Sequence, residues 1–198
     1  MKKLITLFAV LGMVLALAPA VHAQVLMSTT VNDGSFERAN VGNPLWAPVT
    51  MGVWSITAPA YGGQGILTHG SHATHGDESL FANAGFSVTA TSSDLLGTTA
   101  YTTVSAGDEF SWSYDYKASS VSSQVIKFQI DFGNGLVELG SATATVTSYQ
   151  TMSGTYTATA TDATGTQLAV VLTVGGHTFT DSALLSVVAN TGTLIMVE

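Results

Sequence analysis

The chain has 198 residues, of which 46% are apolar and only 9% are charged, and it contains no cysteine. This length suits one sizeable domain, and the absence of cysteine excludes both a disulfide framework and a lipid attached to cysteine. Small and β-branched residues fill most of the remainder, whereas the Lys, Glu and Arg of surface helices are scarce. We therefore expect an all-β fold.

The N-terminus has the form of an export signal. Two lysines precede an apolar run, Leu4 to Leu17, and Val21-His22-Ala23 is a small-residue cleavage site before Gln24. The run is shorter than the roughly 20 residues that span a bilayer, although an uncleaved anchor is the alternative. We expect residues 1–23 to be a signal peptide, residues 24–198 to be a single β-sandwich domain, and the protein to be secreted, extracellular or periplasmic.

The expected mature chain is strongly acidic. After removal of the signal, Arg38, Lys117 and Lys127 face 13 carboxylates, so the side chains sum to 3 − 13 = −10. This charge repels nucleic acid and anionic membrane surfaces. Uncharged partners such as glycans, and divalent cations, remain compatible with it.

Short apolar or alternating segments, separated by turn residues, recur along the chain. This pattern predicts a sandwich of two antiparallel sheets with almost no helix. Residues 58–77, with five glycines and three histidines, are predicted to be irregular. The predicted strands, in chain order, are 24–31, 51–57, 78–83, 86–91, 109–117, 124–132, 136–139, 151–161, 167–174 and 177–188.

The clearest alternation lies in Glu109 to Lys117. Four aromatic residues there alternate with polar ones, which places all four on one face of a strand. A single aromatic stripe at strand period is more often core than binding surface, so we expect Trp112 to be buried. Gln124 to Phe132 repeats the pattern with aliphatic and aromatic residues, and Gly133-Asn134-Gly135 predicts a hairpin turn after it.

Four short stretches, in this order, carry a resemblance to a known family: Val31-Asn32-Asp33-Gly34-Ser35-Phe36-Glu37, His75 to Leu80, Val104 to Trp112, and Phe179 to Leu185. The chain resembles the galactose-binding-like jelly-roll β-sandwiches, which include bacterial carbohydrate-binding modules. It is also similar to exported bacterial proteins that carry a Pro-Glu-Pro sorting tail, which is absent here. Another departure is Thr180-Asp181-Ser182, where the family usually has two adjacent acidic or amide residues. The resemblance implies a jelly roll with a structural calcium ion.

The first and last of these stretches predict a cation site. Phe36 is expected to enter the core while Glu37 points the other way. Strand alternation places Asp181 on the face of Phe179, Ala183, Leu185 and Val187, where a carboxylate is costly unless it is paired or coordinated. Hard oxygen ligands suit calcium, so Glu37, Asp181 and Asp33 are the predicted Ca²⁺ ligands. The alternative is that Asp181 bonds backbone amides without any metal.

Two further groups are candidates for binding. His69, His72 and His75 lie three residues apart, a spacing that would cluster imidazoles on a helix, but the glycines around them favour a polar loop. Trp46, Trp54 and Tyr61 lie in or beside loops and are predicted to form an aromatic platform for a glycan. Trp54 and Tyr61 are the preferred members.

The sequence contains no motif for catalysis. It lacks a cysteine nucleophile, a Gly-x-Ser-x-Gly elbow, a His-Glu-x-x-His helix and a phosphate-binding glycine loop. We therefore expect a non-enzymatic exported protein that binds a carbohydrate or cell-surface glycan through rim loops. The alternative is a structural, matrix or adhesion protein that associates with itself or other surface proteins and binds no sugar.

Overall fold

The computed structural model describes residues 22–37, 45–59, 62–68, 73–76, 78–119 and 125–190. These residues contain thirteen strands and a short 3-10 helix, Asp162–Thr164. No helix in this part of the chain is long and apolar enough to cross a membrane. The strands are β1 Gln24–Met27, β2 Leu45–Trp46, β3 Val49–Met51, β4 Trp54–Thr57, β5 Gln64–Thr68, β6 Glu78–Ala82, β7 Ser87–Ser92, β8 Glu109–Ala118, β9 Val125–Asp131, β10 Leu136–Thr143, β11 Gln150–Thr157, β12 Ala169–Gly175 and β13 Thr178–Val188.

The strands form two antiparallel sheets. The seven-stranded sheet has the order β11-β8-β13-β6-β5-β2, and β1 also pairs with β13. The six-stranded sheet has the order β10-β9-β12-β7-β4-β3. The prediction of an all-β jelly-roll sandwich is confirmed.

The inner faces of the two sheets enclose one cluster of buried apolar residues. The alternation in β8 turns Phe110, Trp112 and Tyr114 inward, and each is at most 4% exposed. From the opposite sheet, Phe128 stacks on two of them, with its ring centroid 5.1 Å from that of Trp112 and 5.5 Å from that of Tyr114. The predicted burial of Trp112 is confirmed.

The opening stretch is a loop, where the sequence predicted a strand continuing to residue 31. β1 ends at Met27 because Ser28 folds the chain back: its Oγ accepts bonds from the N–H groups of Thr30, at 3.2 Å, and Val31, at 3.1 Å. Asn32, Asp33 and Phe36 then have φ between 51° and 63°, values rare outside glycine. These residues form a tight turn.

The predicted meeting of the two ends of the fold is confirmed. The N–H of Ala183 in β13 donates to the carbonyl of Gly34 at 2.8 Å, and β1 pairs with the same strand. Phe36 is fully buried, with its ring centroid 4.8 Å from that of Trp54. The opening loop is therefore fixed against the closing strand.

Residues 58–77 were predicted to be irregular but contain β5, Gln64–Thr68. One of the glycines that suggested a loop, Gly65, has a packing role here. A Cβ atom at Gly65 would overlap the carbonyl oxygen of Leu45 in β2, so only glycine allows β2 to approach β5 this closely.

The predicted strand 51–57 is two strands, β3 and β4, joined by a turn at Gly52-Val53.

Candidate functional site

One lateral row of side chains crosses the outer face of the seven-stranded sheet. Its positions follow the strand register, running from Trp46 past Gly65 to Phe81, Phe179 and Lys117. Tyr149 lies directly before β11 and continues the row beyond Lys117. We call the following five side chains the cross-sheet row: Trp46, Phe81, Phe179, Lys117 and Tyr149.

Contacts between neighbours make the row continuous. The ring centroids of Trp46 and Phe81 are 5.8 Å apart, and those of Phe81 and Phe179 are 6.3 Å apart and stacked. The Nζ atom of Lys117 lies 5.5 Å from the ring centroid of Phe179 and 4.6 Å from that of Tyr149. Since neighbouring strands are about 4.8 Å apart, the four intervals from β2 to β8 span roughly 19 Å.

The cross-sheet row is separate from the core. Side chains alternate between faces along a strand, so Lys117 points away from the interior that Trp112 and Tyr114 enter from the same strand. Phe81 and Phe179 lie outside the main cluster of buried apolar residues. The seven-stranded sheet thus carries aromatic rings on both faces.

The middle and the ends of the cross-sheet row differ in exposure. Phe81, Phe179 and Lys117 are only 3%, 5% and 8% exposed, whereas Trp46 and Tyr149 are half-buried and keep ring surface open. Burial lowers the pKa of Lys117, and the two ring faces beside its ammonium group compensate part of that cost. The two accessible rings are therefore at opposite ends of the row.

Two carboxylates lie beside the Tyr149 end. Asp115 of β8 and Asp181 of β13 are cross-strand neighbours, and Oδ1 of Asp115 accepts a bond of 2.6 Å from the hydroxyl of Thr151. Burial raises the pKa of Tyr149, and the charges of Asp181 and Asp115 raise it further. This end of the row thus combines a ring face, a cation and hydrogen-bond acceptors.

Asp181 lies on the outer face, and its predicted alignment with Leu185 and Val187 is wrong. A bulge between Asp181 and Leu184, where Ser182 has φ 54°, shifts the register by which later residues pair with β8. Leu185 and Val187 consequently face the core, opposite to Asp181. A bulge inserts a residue and reverses the alternation beyond it, and nothing in the local sequence announces one.

The carboxylate of Asp181 is fully buried and accepts four hydrogen bonds. Its Oδ2 accepts from the N–H of Thr74 at 2.7 Å, the hydroxyl of Thr74 at 3.1 Å and the N–H of His75 at 2.9 Å. Its Oδ1 accepts from the N–H of Ser182 at 2.6 Å. Burial raises the pKa of Asp181 to about 6, although these bonds act in the opposite direction. The acid holds residues 74 and 75 against β13.

Glu37 binds the same segment from its other end. Its Oε1 accepts a bond of 3.1 Å from the N–H of Glu78, and its carboxylate lies against Gly76, where a Cβ atom would overlap it. Asp33 instead accepts the N–H of Glu37 at 3.0 Å. Among the residues that the structure describes, no three His, Asp or Glu side chains are close enough to hold a metal ion. Three carboxylates around one ion therefore do not fit, and calcium held by fewer side chains with backbone carbonyls stays a prediction.

Of the two members of the predicted aromatic platform that the structure describes, Trp46 lies in the cross-sheet row. Trp54 is fully buried and donates from Nε1 to the carbonyl of Asp33 at 2.7 Å. A ring without exposed surface cannot receive a glycan, so its predicted role does not fit its position. Tyr61, His69 and His72 lie outside the described residues, while His75 is exposed.

The fold is shared with solved structures. No family model matches the chain, and no curated protein matches it. An apo cyclase from Fischerella sp. is 15% identical with a TM-score of 0.59, covering 87% of this chain and 100% of that one. A Stig cyclase, Fisc from Fischerella sp. TAU, in complex with a pyrrolidinylidene-indole compound, is 14% identical with a TM-score of 0.56, covering 85% and 100%.

A carbohydrate-binding protein is also similar. The CBM22-1 xylan-binding domain of Xyn10C from Paenibacillus barcinonensis is 19% identical with a TM-score of 0.49, covering 87% of this chain and 99% of that one. At these identities the likeness to the cyclases establishes the sandwich architecture. Function has to be argued from the residues of this chain.

Proposed function

We propose that the protein is exported and binds an uncharged glycan at the cross-sheet row, without catalysing a reaction on it. The observation that carries this proposal is the row, which is about 19 Å long at strand spacing and presents a partly exposed ring at each end, Trp46 and Tyr149. Its length suits a short stretch of a linear oligosaccharide lying across the strands. β1 begins at Gln24, so cleavage after Ala23 would leave every strand intact.

The chemistry of the row suits a sugar. Aromatic rings offer flat apolar faces to the C–H groups of a sugar ring, while a few placed polar groups fix its orientation. Trp46 and Tyr149 supply the accessible rings. Asp115 and Thr151 supply polar groups beside Tyr149. An uncharged glycan is preferred because the chain is acidic.

The test is a binding experiment with the mature chain and a panel of neutral polysaccharides, including xylan and galactan, in pull-down and calorimetry. Trp46→Ala and Tyr149→Ala should each weaken binding about tenfold or more, since each removes a stacking face. Phe86→Ala is the matched control, because Phe86 is an exposed aromatic, 38% accessible, outside the row. Binding that survives both row substitutions, or is lost equally in the control, would remove the row from the proposal.

A second candidate ligand is a small aromatic compound. Each end of the cross-sheet row presents a single partly exposed ring, which suits a compact flat molecule as well as one sugar unit, and a cyclase of this fold is seen with an indole compound. Titration with indole discriminates the two candidates. Saturable binding of indole that Trp46→Ala removes, with no binding to any polysaccharide, would favour the small ligand.

A further inference from the structure

Among the described residues, five strands have a lateral edge without a neighbouring strand, and four of them carry features that discourage pairing with another chain. β2 and β3 have two and three residues, and β1 has four. β10 has eight, but it contains a bulge between Glu138 and Gly140 and an ion pair, Glu138 to Lys127 at 2.7 Å. Shortness, bulges and edge charges are the devices by which natural sheets avoid edge-to-edge association.

β11 has none of these features. It is eight residues long, Gln150–Thr157, and it contains no proline and no charged residue. Its register with β8 is continuous from end to end, and the described residues give it no second neighbouring strand. Its outward backbone N–H and C=O groups therefore form an uninterrupted row to which another β-strand could pair.

We propose that β11 is a self-association edge, at which two copies of this chain pair β11 antiparallel to β11 across a two-fold axis. Such an axis places each residue opposite a counterpart of the same strand. With the axis at Ser153, Thr151 of one copy lies opposite Thr155 of the other, and the two Ser153 hydroxyls face each other. Opposed Ser and Thr side chains favour strand pairing.

The other face of the strand accepts the same register. Met152 of each copy lies opposite Gly154 of the other, which leaves room for the longer side chain. Gly154 is itself fixed by the core, because a Cβ atom there would lie 2.9 Å from the indole ring of Trp112. At the centre of the paired strands, therefore, no two large side chains face each other.

The charge distribution also favours a second copy at this edge. An acidic chain repels its own copies, but the nearest carboxylates to the edge on the outer face, Asp115 and Glu109, belong to β8. In the paired sheet the two β8 strands are three strand spacings apart, about 14 Å. This exceeds the Debye length of about 8 Å at physiological ionic strength, so the repulsion is largely screened.

Sedimentation velocity of the mature chain, from low micromolar to millimolar concentration and without any glycan, tests the proposal. The wild type should show a monomer–dimer equilibrium, in keeping with a small interface. Ser153→Lys should weaken it about tenfold or more, because it places like charges opposite each other. Ser113→Lys is the matched control: Ser113 is the register partner of Ser153 on β8, so it adds the same charge to the same face one strand inward.

Three outcomes would overturn the proposal: a wild type that is monomeric at every concentration, equal weakening by both substitutions, or a dimer unaffected by Ser153→Lys. Equal weakening would indicate packing through the sheet face. Hydrogen exchange gives a second readout that needs no variant, since dimerisation should protect the outward amides of β11 and leave those of β10 unchanged.

Discussion

The two faces of the seven-stranded sheet carry aromatic residues in different ways. On the inner face the rings of Phe110, Trp112 and Tyr114 follow one another along β8 and fill the core, and Phe128 stacks on the last two. On the outer face the cross-sheet row runs perpendicular to the strands, and its two ends keep ring surface exposed. The stripe along β8 contributes to stability, whereas the partly exposed ends of the cross-sheet row are the part that we propose to meet a ligand.

The largest expected effect is a difference in stability between substitutions on the two faces. Phe128→Ala should lower the free energy of unfolding by about 3–5 kcal/mol, because it leaves a cavity beside the stacked rings of Trp112 and Tyr114. Trp46→Ala, at the half-buried end of the cross-sheet row, should cost only about 1 kcal/mol. Urea unfolding of both variants measures the difference. Equal losses would make the cross-sheet row a second core and would break the comparison.

A smaller effect concerns the buried acid beside the row. The pKa of Asp181 is about 6 in the folded chain, against 3.8 as its ordinary value, so between these pH values the folded state holds a proton that the unfolded state has lost. Stability should therefore fall as pH rises from about 4 to 6, by about 2–3 kcal/mol. Thermal melts of the wild type and of Asp181→Asn, both in chelator, measure this change. The other acids contribute equally to both proteins, so the difference between the two pH profiles reports Asp181 alone.

Calcium can be tested on the same two proteins. If the ion binds at Glu37 and Asp181, adding it at about 100 times its dissociation constant should stabilise the wild type by about 2.7 kcal/mol at pH 7. Asp181→Asn should lose most of that gain. A wild-type melting midpoint that is the same in calcium and in chelator would remove the predicted ion and leave hydrogen bonds alone to hold residues 74 and 75 against β13.

The features that the sequence predicted well are local. Period-2 alternation identified β8 and β9, and turn residues separated most of the remaining strands correctly. The inward direction of Trp112 followed from its place in the alternation. Phe36 was also placed correctly in the core, although it lies in a loop and not in the predicted first strand.

The cross-sheet row could not be predicted in this way. Its members come from positions 46, 81, 117, 149 and 179, and they meet only because the strand order brings β2, β6, β13 and β8 into one register. Trp54 shows the reverse error, since a tryptophan near a turn suggested a surface platform although the opening loop covers it. Asp181 was placed on the wrong face because a bulge has no clear sequence pattern.

The central claim is that the cross-sheet row, and not the core, meets the ligand, and the three tryptophans test it most directly. Trp46 is half-buried in the row, while Trp54 and Trp112 are 0% and 4% exposed in the core. Protein labelled with 5-fluorotryptophan gives three ¹⁹F resonances, and Trp46→Phe assigns one of them. Titration with a neutral oligosaccharide chosen from the binding panel should shift the Trp46 resonance and leave the other two in place. Saturable binding that leaves the Trp46 resonance unmoved would contradict the account.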